Sequence, residues 1–149
     1  MAKTIEQKYK ELSEQEHVLL RPGMYVGSVK PELSTQFVFD YKEQMMVQKE
    51  VEYVPAILKL IDEIISNSTD EYRRPDNIGL TQISVTVMKD NTIVIEDNGG
   101  IPVVKHKEAG IMVPQLIFGR MRTSSNYNDD EDRSGLGTNG VGSSLTNIF

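Results

Sequence analysis

The spacing of apolar residues changes several times along this chain, and each change predicts an element. Residues 1–20 are polar and helix-compatible with few apolar positions, which reads as an arm needing a partner surface. Arg21-Pro-Gly-Met-Tyr-Val-Gly27 is turn chemistry wrapped around a hydrophobic pair. Gln36–Asp40 and Met45–Val54 alternate as the two strands of a hairpin would. From Pro55 to about Glu71 the period becomes helical, with Ile57, Leu60, Ile61, Ile64 and Ile65 forming the apolar stripe and Pro55 suited to a first turn. Strands are predicted over Gln82–Met88 and Thr92–Glu96, joined by a tight turn at Asp90-Asn91. A short helix follows over Val113–Phe118, then a polar, acidic stretch at 123–135 that reads as a loop or lid. A last helix begins near Gly140 and runs into the apolar end at Phe149, where no closing element follows, as a truncated domain would end. No internal repeat is visible. The order of elements predicts an α+β fold, a two-layer sandwich with helices on one face of a mainly antiparallel sheet.

Composition narrows the chemistry. At 149 residues, 38% hydrophobic and 26% charged, the chain has room for one domain with a core of its own. It has no cysteine, which excludes disulfides and thiolate metal sites, and its two histidines, His17 and His106, are too few for a zinc or haem cluster. No apolar run approaches the roughly 18 residues that span a bilayer, and the polar N-terminus carries no signal-peptide pattern. The expectation is a cytoplasmic domain without a membrane partner. The net charge of −6 and the scattering of basic residues, with only short clusters at Arg73–Arg74 and Arg120/Arg122, predict poor DNA binding by this segment itself.

Three polar constellations stand out. On the long helix, Glu63, Asn67 and Asp70 fall at i, i+4 and i+7, one stripe beside the apolar face of Leu60 and Ile64. A carboxylate there is partly shielded yet reaches a cleft. An amide oxygen one turn on suits Mg²⁺ when phosphates complete the octahedron, and Glu63 then becomes the natural base for a water attacking a γ-phosphate. The bland alternative is a solvated polar face.

The strand ending in Glu96-Asp97 leads into Asn98-Gly99-Gly100, as where a ligand approaches backbone closely. Asp97 can accept from an exocyclic amine such as that of adenine; the competing reading is an ordinary Asn-Gly turn. The third constellation is Gly135-Leu-Gly-Thr-Asn-Gly-Val-Gly142, whose glycines let backbone N–H groups turn toward phosphate oxygens. Gly135, Gly137 and Gly140 satisfy G-x-G-x-x-G, but an acidic loop rather than a strand precedes them, against a dinucleotide fingerprint. Gly137 and Gly142 have P-loop spacing, but Ser143 stands where the lysine belongs. A flexible glycine linker is the remaining alternative.

The order helical Glu…Asn, strand-end Asp with glycines, then a glycine-rich helix start resembles the GHKL ATPases, which include type II topoisomerases, mismatch-repair ATPases, heat-shock chaperones and histidine kinases. Nearly the whole chain is similar to the type IIA topoisomerases. Glu16-His-Val-Leu-Leu-Arg-Pro-Gly-Met-Tyr-Val-Gly-Ser28 resembles their N-terminal signature. Ile101-Pro-Val-Val-Lys-His106, Val113-Pro-Gln-Leu-Ile-Phe-Gly119 and Thr123-Ser-Ser-Asn-Tyr127 resemble the eukaryotic branch. The lack of a eukaryotic extension before residue 1, with the wording overall, resembles the large subunit of a T-even bacteriophage topoisomerase, which would work in the cytoplasm of a bacterial host.

The resemblance implies an N-terminal arm at 1–20 and an ATP-binding domain at 21–149, incomplete at its C-terminus, with a lid at about 120–142. It implies ATP and Mg²⁺ as cofactors, Glu63 as general base and Asn67 as Mg²⁺ ligand. Asp97 would bind the adenine amino group, and Ser124, Ser125 and Asn126 the ribose or phosphates. Gly137, Thr138, Asn139, Gly140, Val141, Gly142, Ser143 and Ser144 would wrap the phosphates, with Asp70 beside the nucleotide. Tyr9 matches an arm tyrosine that reaches across a homodimer formed on nucleotide binding; other subunits and DNA would be met through regions outside this chain. Two departures matter. Gly99 and Gly100 are adjacent where the family has an intervening residue, so alignment from Ile101-Pro102 would make Glu96 the adenine acceptor; the Asn91–Asp97 strand favours Asp97. Ser144 replaces a lid lysine, and the family's catalytic lysine belongs to a following domain. Three functions are thereby set against one another: an ATPase module driving DNA passage, a nucleotide-binding dimerisation module without hydrolysis, and a dinucleotide oxidoreductase built on Gly135–Gly140.

Overall fold

A computed structural model describes residues 4–74, 79–123 and 140–149, apart from the side chains of residues 6 and 7. After a short turn of helix, α1 (Ile5–Lys8), the chain forms α2 (Glu14–Leu20). Ser13 begins α2 with a reciprocal cap: its hydroxyl accepts from the Glu16 N–H while the Glu16 carboxylate accepts from the Ser13 N–H at 2.9 Å. That Ser13 N–H and the Ser13 hydroxyl, which donates to the same carboxylate oxygen at 2.8 Å, hold the Glu16 carboxyl below its ordinary range. A 3₁₀ turn over Pro22–Met24 then reverses the chain, with Gly27 in the left-handed region at φ 84°.

Strands β1 (Glu32–Asp40) and β2 (Met45–Tyr53) pair antiparallel from Glu32↔Tyr53 to Asp40↔Met45. The hairpin closes on Asp40, whose carboxylate accepts from the N–H groups of Lys42 and Glu43 and from Lys49 Nζ at 2.7 Å. Pro55 stops the strand and starts α3 (Pro55–Arg73), the longest helix among the described residues. Strands β3 (Ile83–Val87) and β4 (Ile93–Asp97) form a second antiparallel hairpin, turned through Asn91 at φ 67°. Helices α4 (Val113–Gly119) and α5 (Gly142–Ile148) complete the described residues.

The antiparallel pairing and the α+β content are as the sequence predicts. Among the described residues, however, the strands form two separate two-stranded sheets. The first begins at Glu32, four residues before the predicted Gln36.

The core is where α2, the 3₁₀ turn, α3 and α5 meet: Val18, Val26, Ala56 and Leu145 are buried, with Tyr25, Val54, Leu60, Met121, Val141 and Ile148 packed around them. Each such large side chain withdrawn from water contributes about 1.5–3 kcal/mol. Val18 is fully buried, so the C-terminal part of the expected arm packs on this chain's own core, whereas Tyr9 stays 78% exposed. The apolar stripe of α3 also needs correction at its start. Ile57 is exposed and Ala56 takes the core position, because the Ala56 N–H is pinned to the Ser28 carbonyl at 2.9 Å, which turns that face of the helix toward the 3₁₀ turn.

Candidate functional site

Helix α3 packs on α5 and on β4, so its polar stripe lies at the junction of all three. Glu63 faces the start of α5, where Gly142 is buried against it. A Cβ on Gly142 would overlap Glu63 Oε2 and stand 2.8 Å from its Cδ, so the glycine is what lets α5 approach the carboxylate. From the other side, Lys59 Nζ meets Glu63 Oε1 at 2.5 Å one turn back along α3. The hydrogen bond to Glu63 raises the Lys59 ammonium above its ordinary range, against the opposing effect of burial and helped by the charges of Glu63 and Asp62. One turn on, the Asn67 side-chain N–H donates to Ser143 Oγ at 2.7 Å.

The next residue, Ser68, joins α3 to the second hairpin. Its hydroxyl donates to Asp97 Oδ2 at 2.6 Å, while the Gly99 N–H donates to Asp97 Oδ1 at 3.0 Å. Alternation along β4 sends Asp97 toward the helix and Glu96 to the opposite face. Asn98 fixes the strand end. Its Oδ1 accepts the Thr81 and Gln82 N–H groups at 2.9 Å each, and its Nδ2 donates to Thr81 Oγ1 at 2.9 Å.

Of the residues expected at a site, Glu63 thus meets Gly142, Asn67 meets Ser143, and Asp97 is tied through Ser68 to the adjoining turn of α3. Asp70 is on the same helix and 7% exposed. Ser144 is buried and its hydroxyl donates to the Val141 carbonyl at 2.9 Å, three residues back along the chain. Gly140 has φ 60°, and its carbonyl accepts the Thr123 N–H at 3.0 Å, so the two described residues flanking 124–139 are joined. Val141 packs on the core. Tyr9, on the arm, takes no part in the side-chain contacts joining α3, β4 and α5. Ser124, Ser125, Asn126, Gly137, Thr138 and Asn139 lie outside the described residues, as do Gly135 and most of the expected lid. Sequence reasoning missed Lys59, Ser68 and Asn98. The i, i+4 spacing of Lys59 and Glu63 was a usable signal; the Ser68 and Asn98 pairings are between distant segments and left none.

No protein-family model matches the chain. It is 43% identical over 148 residues to DNA topoisomerase 2 of Drosophila melanogaster and 45% identical over 148 residues to DNA topoisomerase 2-beta of Homo sapiens, in each case across nearly all of this chain. Its structure superposes on the ATPase region of Saccharomyces cerevisiae topoisomerase II with a TM-score of 0.87 at 39% identity, covering 95% of this chain. On the ATPase and transducer domains of DNA topoisomerase II from Balamuthia mandrillaris the TM-score is 0.90 at 42% identity, covering 97%. The chain belongs with the ATPase regions of the type II DNA topoisomerases. It spans about a tenth of the length of these curated relatives, 10% and 9%, and 38% and 37% of the two solved chains.

The polar side chains of α3, β4 and α5 meet at their junction, and two clefts among the described residues lie elsewhere. One of about 370 Å³ is bounded by Glu14, Phe118, Arg120 and Asn147, the other of about 360 Å³ by Lys10, His17, Tyr25 and Arg122. Among the described residues no cluster of three or more histidines and carboxylates suited to a metal ion occurs, and no helix is long and apolar enough to cross a membrane. A single amide ligand at Asn67 fits a magnesium ion whose other ligands are phosphate and water, rather than an all-protein cage.

Proposed function

We propose that this chain is the nucleotide-binding part of an ATP-hydrolysing type II DNA topoisomerase, in which ATP binding and hydrolysis drive dimer closure and passage of one DNA duplex through another. The observation that carries the reading is the placement of Glu63, Asn67 and Ser68 on neighbouring turns of α3, against Gly142, Ser143 and Asp97 respectively. In this reading Glu63 accepts the proton of the attacking water, Asn67 completes the coordination of Mg²⁺ held by the phosphates, and Asp97 accepts the adenine amino group. Asp70 supports the site from within α3. Ser124, Ser125 and Asn126 contact the ribose or phosphates, and Gly137 to Ser144 wrap the phosphates. Tyr9 reaches the nucleotide of a second copy, which suits its exposure on the arm. Mg²⁺ supplies charge neutralisation at the β- and γ-phosphates when bound. Partner subunits and DNA are met by regions beyond this chain, and the place of action is the cytoplasm. The source we favour, a T-even bacteriophage large subunit, rests on the wording of the matched stretches.

Glu63→Gln in the intact protein should leave ATP binding in place and lower the hydrolysis rate by roughly 10²–10⁴-fold, the usual contribution of a general base. Near-normal turnover removes Glu63 from this role. Lost turnover on mutation of Glu63 also separates an ATPase from a dimerisation module without hydrolysis, in which wild-type protein would bind ATP but not turn it over. A preference for NAD over ATP with Mg²⁺ would instead favour the oxidoreductase.

A further inference from the structure

Asp97 is held on both carboxylate oxygens, and one of the two donors is a side chain to which the family resemblance assigns nothing. Ser68 is 7% exposed, one residue past Asn67 on α3, and its hydroxyl reaches Asp97 Oδ2 at 2.6 Å. The Gly99 N–H occupies Oδ1 at 3.0 Å. Neither donor is free to drift. Asn98, between Asp97 and Gly99, is locked to Thr81 and Gln82 by three side-chain hydrogen bonds of 2.9 Å. Gly99 lies so close to Leu80 that an added Cβ would come within 2.8 Å of its Cδ1.

We propose that Ser68 is a positioning residue for base selection, fixing the Asp97 carboxylate so that it accepts the amino group of a 6-amino purine and refuses a 6-oxo purine. The inference rests on the reading of Asp97 as the group that meets the base. An ionised carboxylate has about four lone-pair positions and no donor. Ser68 and Gly99 take one on each oxygen and set the plane of the group, leaving the others fixed in direction. A purine amino group finds an acceptor already oriented. A purine carbonyl at the same place opposes oxygen to oxygen, with neither finding a donor once the bound base displaces water from between them. Without the Ser68 hydroxyl the carboxylate can rotate about its terminal bond and admit a bridging water. Water donates to a carbonyl as readily as it accepts from an amine, so the distinction between the two bases weakens.

The test is calorimetric titration of ATP and GTP, each with Mg²⁺, into the intact protein and its Ser68→Ala, Ser68→Cys and Ser68→Thr variants, with a thermal melt of each. Ser68→Ala and Ser68→Cys are expected to narrow the ATP-over-GTP preference about tenfold, mainly by loss of ATP affinity, as for one hydrogen bond to a charged group. Ser68→Thr, which keeps the hydroxyl, is expected to retain the preference. A folded Ser68→Ala protein with an unchanged preference overturns the inference, even if its melting temperature falls, because a purely structural hydroxyl would change stability alone. Asp97→Ala, which removes every side-chain acceptor, distinguishes the two layers. If it leaves the preference intact, the reading of Asp97 itself fails; if it abolishes the preference while Ser68→Ala does not, only the role of Ser68 is lost.

Discussion

Gly142→Ala perturbs the contact between α3 and α5 by a single methyl group. The new Cβ would overlap Glu63 Oε2 and lie 2.8 Å from Glu63 Cδ and 3.0 Å from its Cβ, all inside the roughly 3.5–4 Å at which carbon atoms rest. Two routes relieve the overlap. Glu63 can swing away, which breaks its 2.5 Å pair with Lys59. An i, i+4 ion pair is worth about 0.3–0.5 kcal/mol, and a displaced rotamer costs about 0.5–1.5 kcal/mol more. Alternatively α5 can recoil from α3, loosening buried Leu145, at the about 1–3 kcal/mol typical of an overpacked core. Alanine offsets up to about 1 kcal/mol by its helix propensity, and less at a helix start. The net expectation is a loss of about 1–2 kcal/mol, or roughly 2–8 °C in Tm for a domain of this size. Gly119→Ala is the control: nothing lies within 4 Å of its added Cβ, and the change should be neutral or stabilise by about 0.5–1 kcal/mol. Differential scanning calorimetry of both variants reads the comparison, and ATP hydrolysis by the intact protein should fall with Gly142→Ala alone. If the two variants melt alike and hydrolyse alike, Glu63 does not sit against α5 and the proposed site loses its base.

Two further outcomes follow from the same contacts. Asn98→Ala removes three side-chain hydrogen bonds that close the β3–β4 hairpin and should cost about 1–3 kcal/mol, with faster amide exchange at Thr81 and Gln82 while α2 and α5 keep their protection. Unchanged exchange there would contradict it. Acid should weaken the fold through Glu16, Asp40 and Asp90, all held below their ordinary values by hydrogen bonds, chiefly from Ser13, Lys49 and Thr92. Because their folded values are depressed, their contribution is present above the unfolded carboxyl range near 4 and is lost as pH falls through the lower folded values. Urea midpoints should therefore fall from pH 5 to pH 3, and Lys49→Met should reduce that fall; an equal fall would exclude Asp40 as a contributor.

Local pattern decided the elements. Pro55 at the start of an apolar stripe, alternation on either side of Asp40 and Met45, and Asn91 in a turn all act through neighbours in sequence, so their effects are legible without a fold. The boundaries moved where tertiary contacts took over, as at Ile57, which has the right spacing for a core position but gives it up to Ala56. The stripe of Glu63, Asn67 and Asp70 was readable for the same local reason, since helix geometry alone puts them on one side. What that stripe faces was not. The meeting of Glu63 with Gly142, of Asn67 with Ser143 and of Ser68 with Asp97 joins residues separated by 76 positions in one case and 29 in another. Spacing within a helix carries no information about such pairings; burial of Val18, Val26, Ala56 and Leu145 in one core is what brings α3 and α5 together. The sequence by itself thus determined the helices, the hairpins and the residue types able to hold a nucleotide. Only the tertiary structure decided which side chains those residues meet, because the packing of the core, not local spacing, sets the distances between segments far apart in the chain.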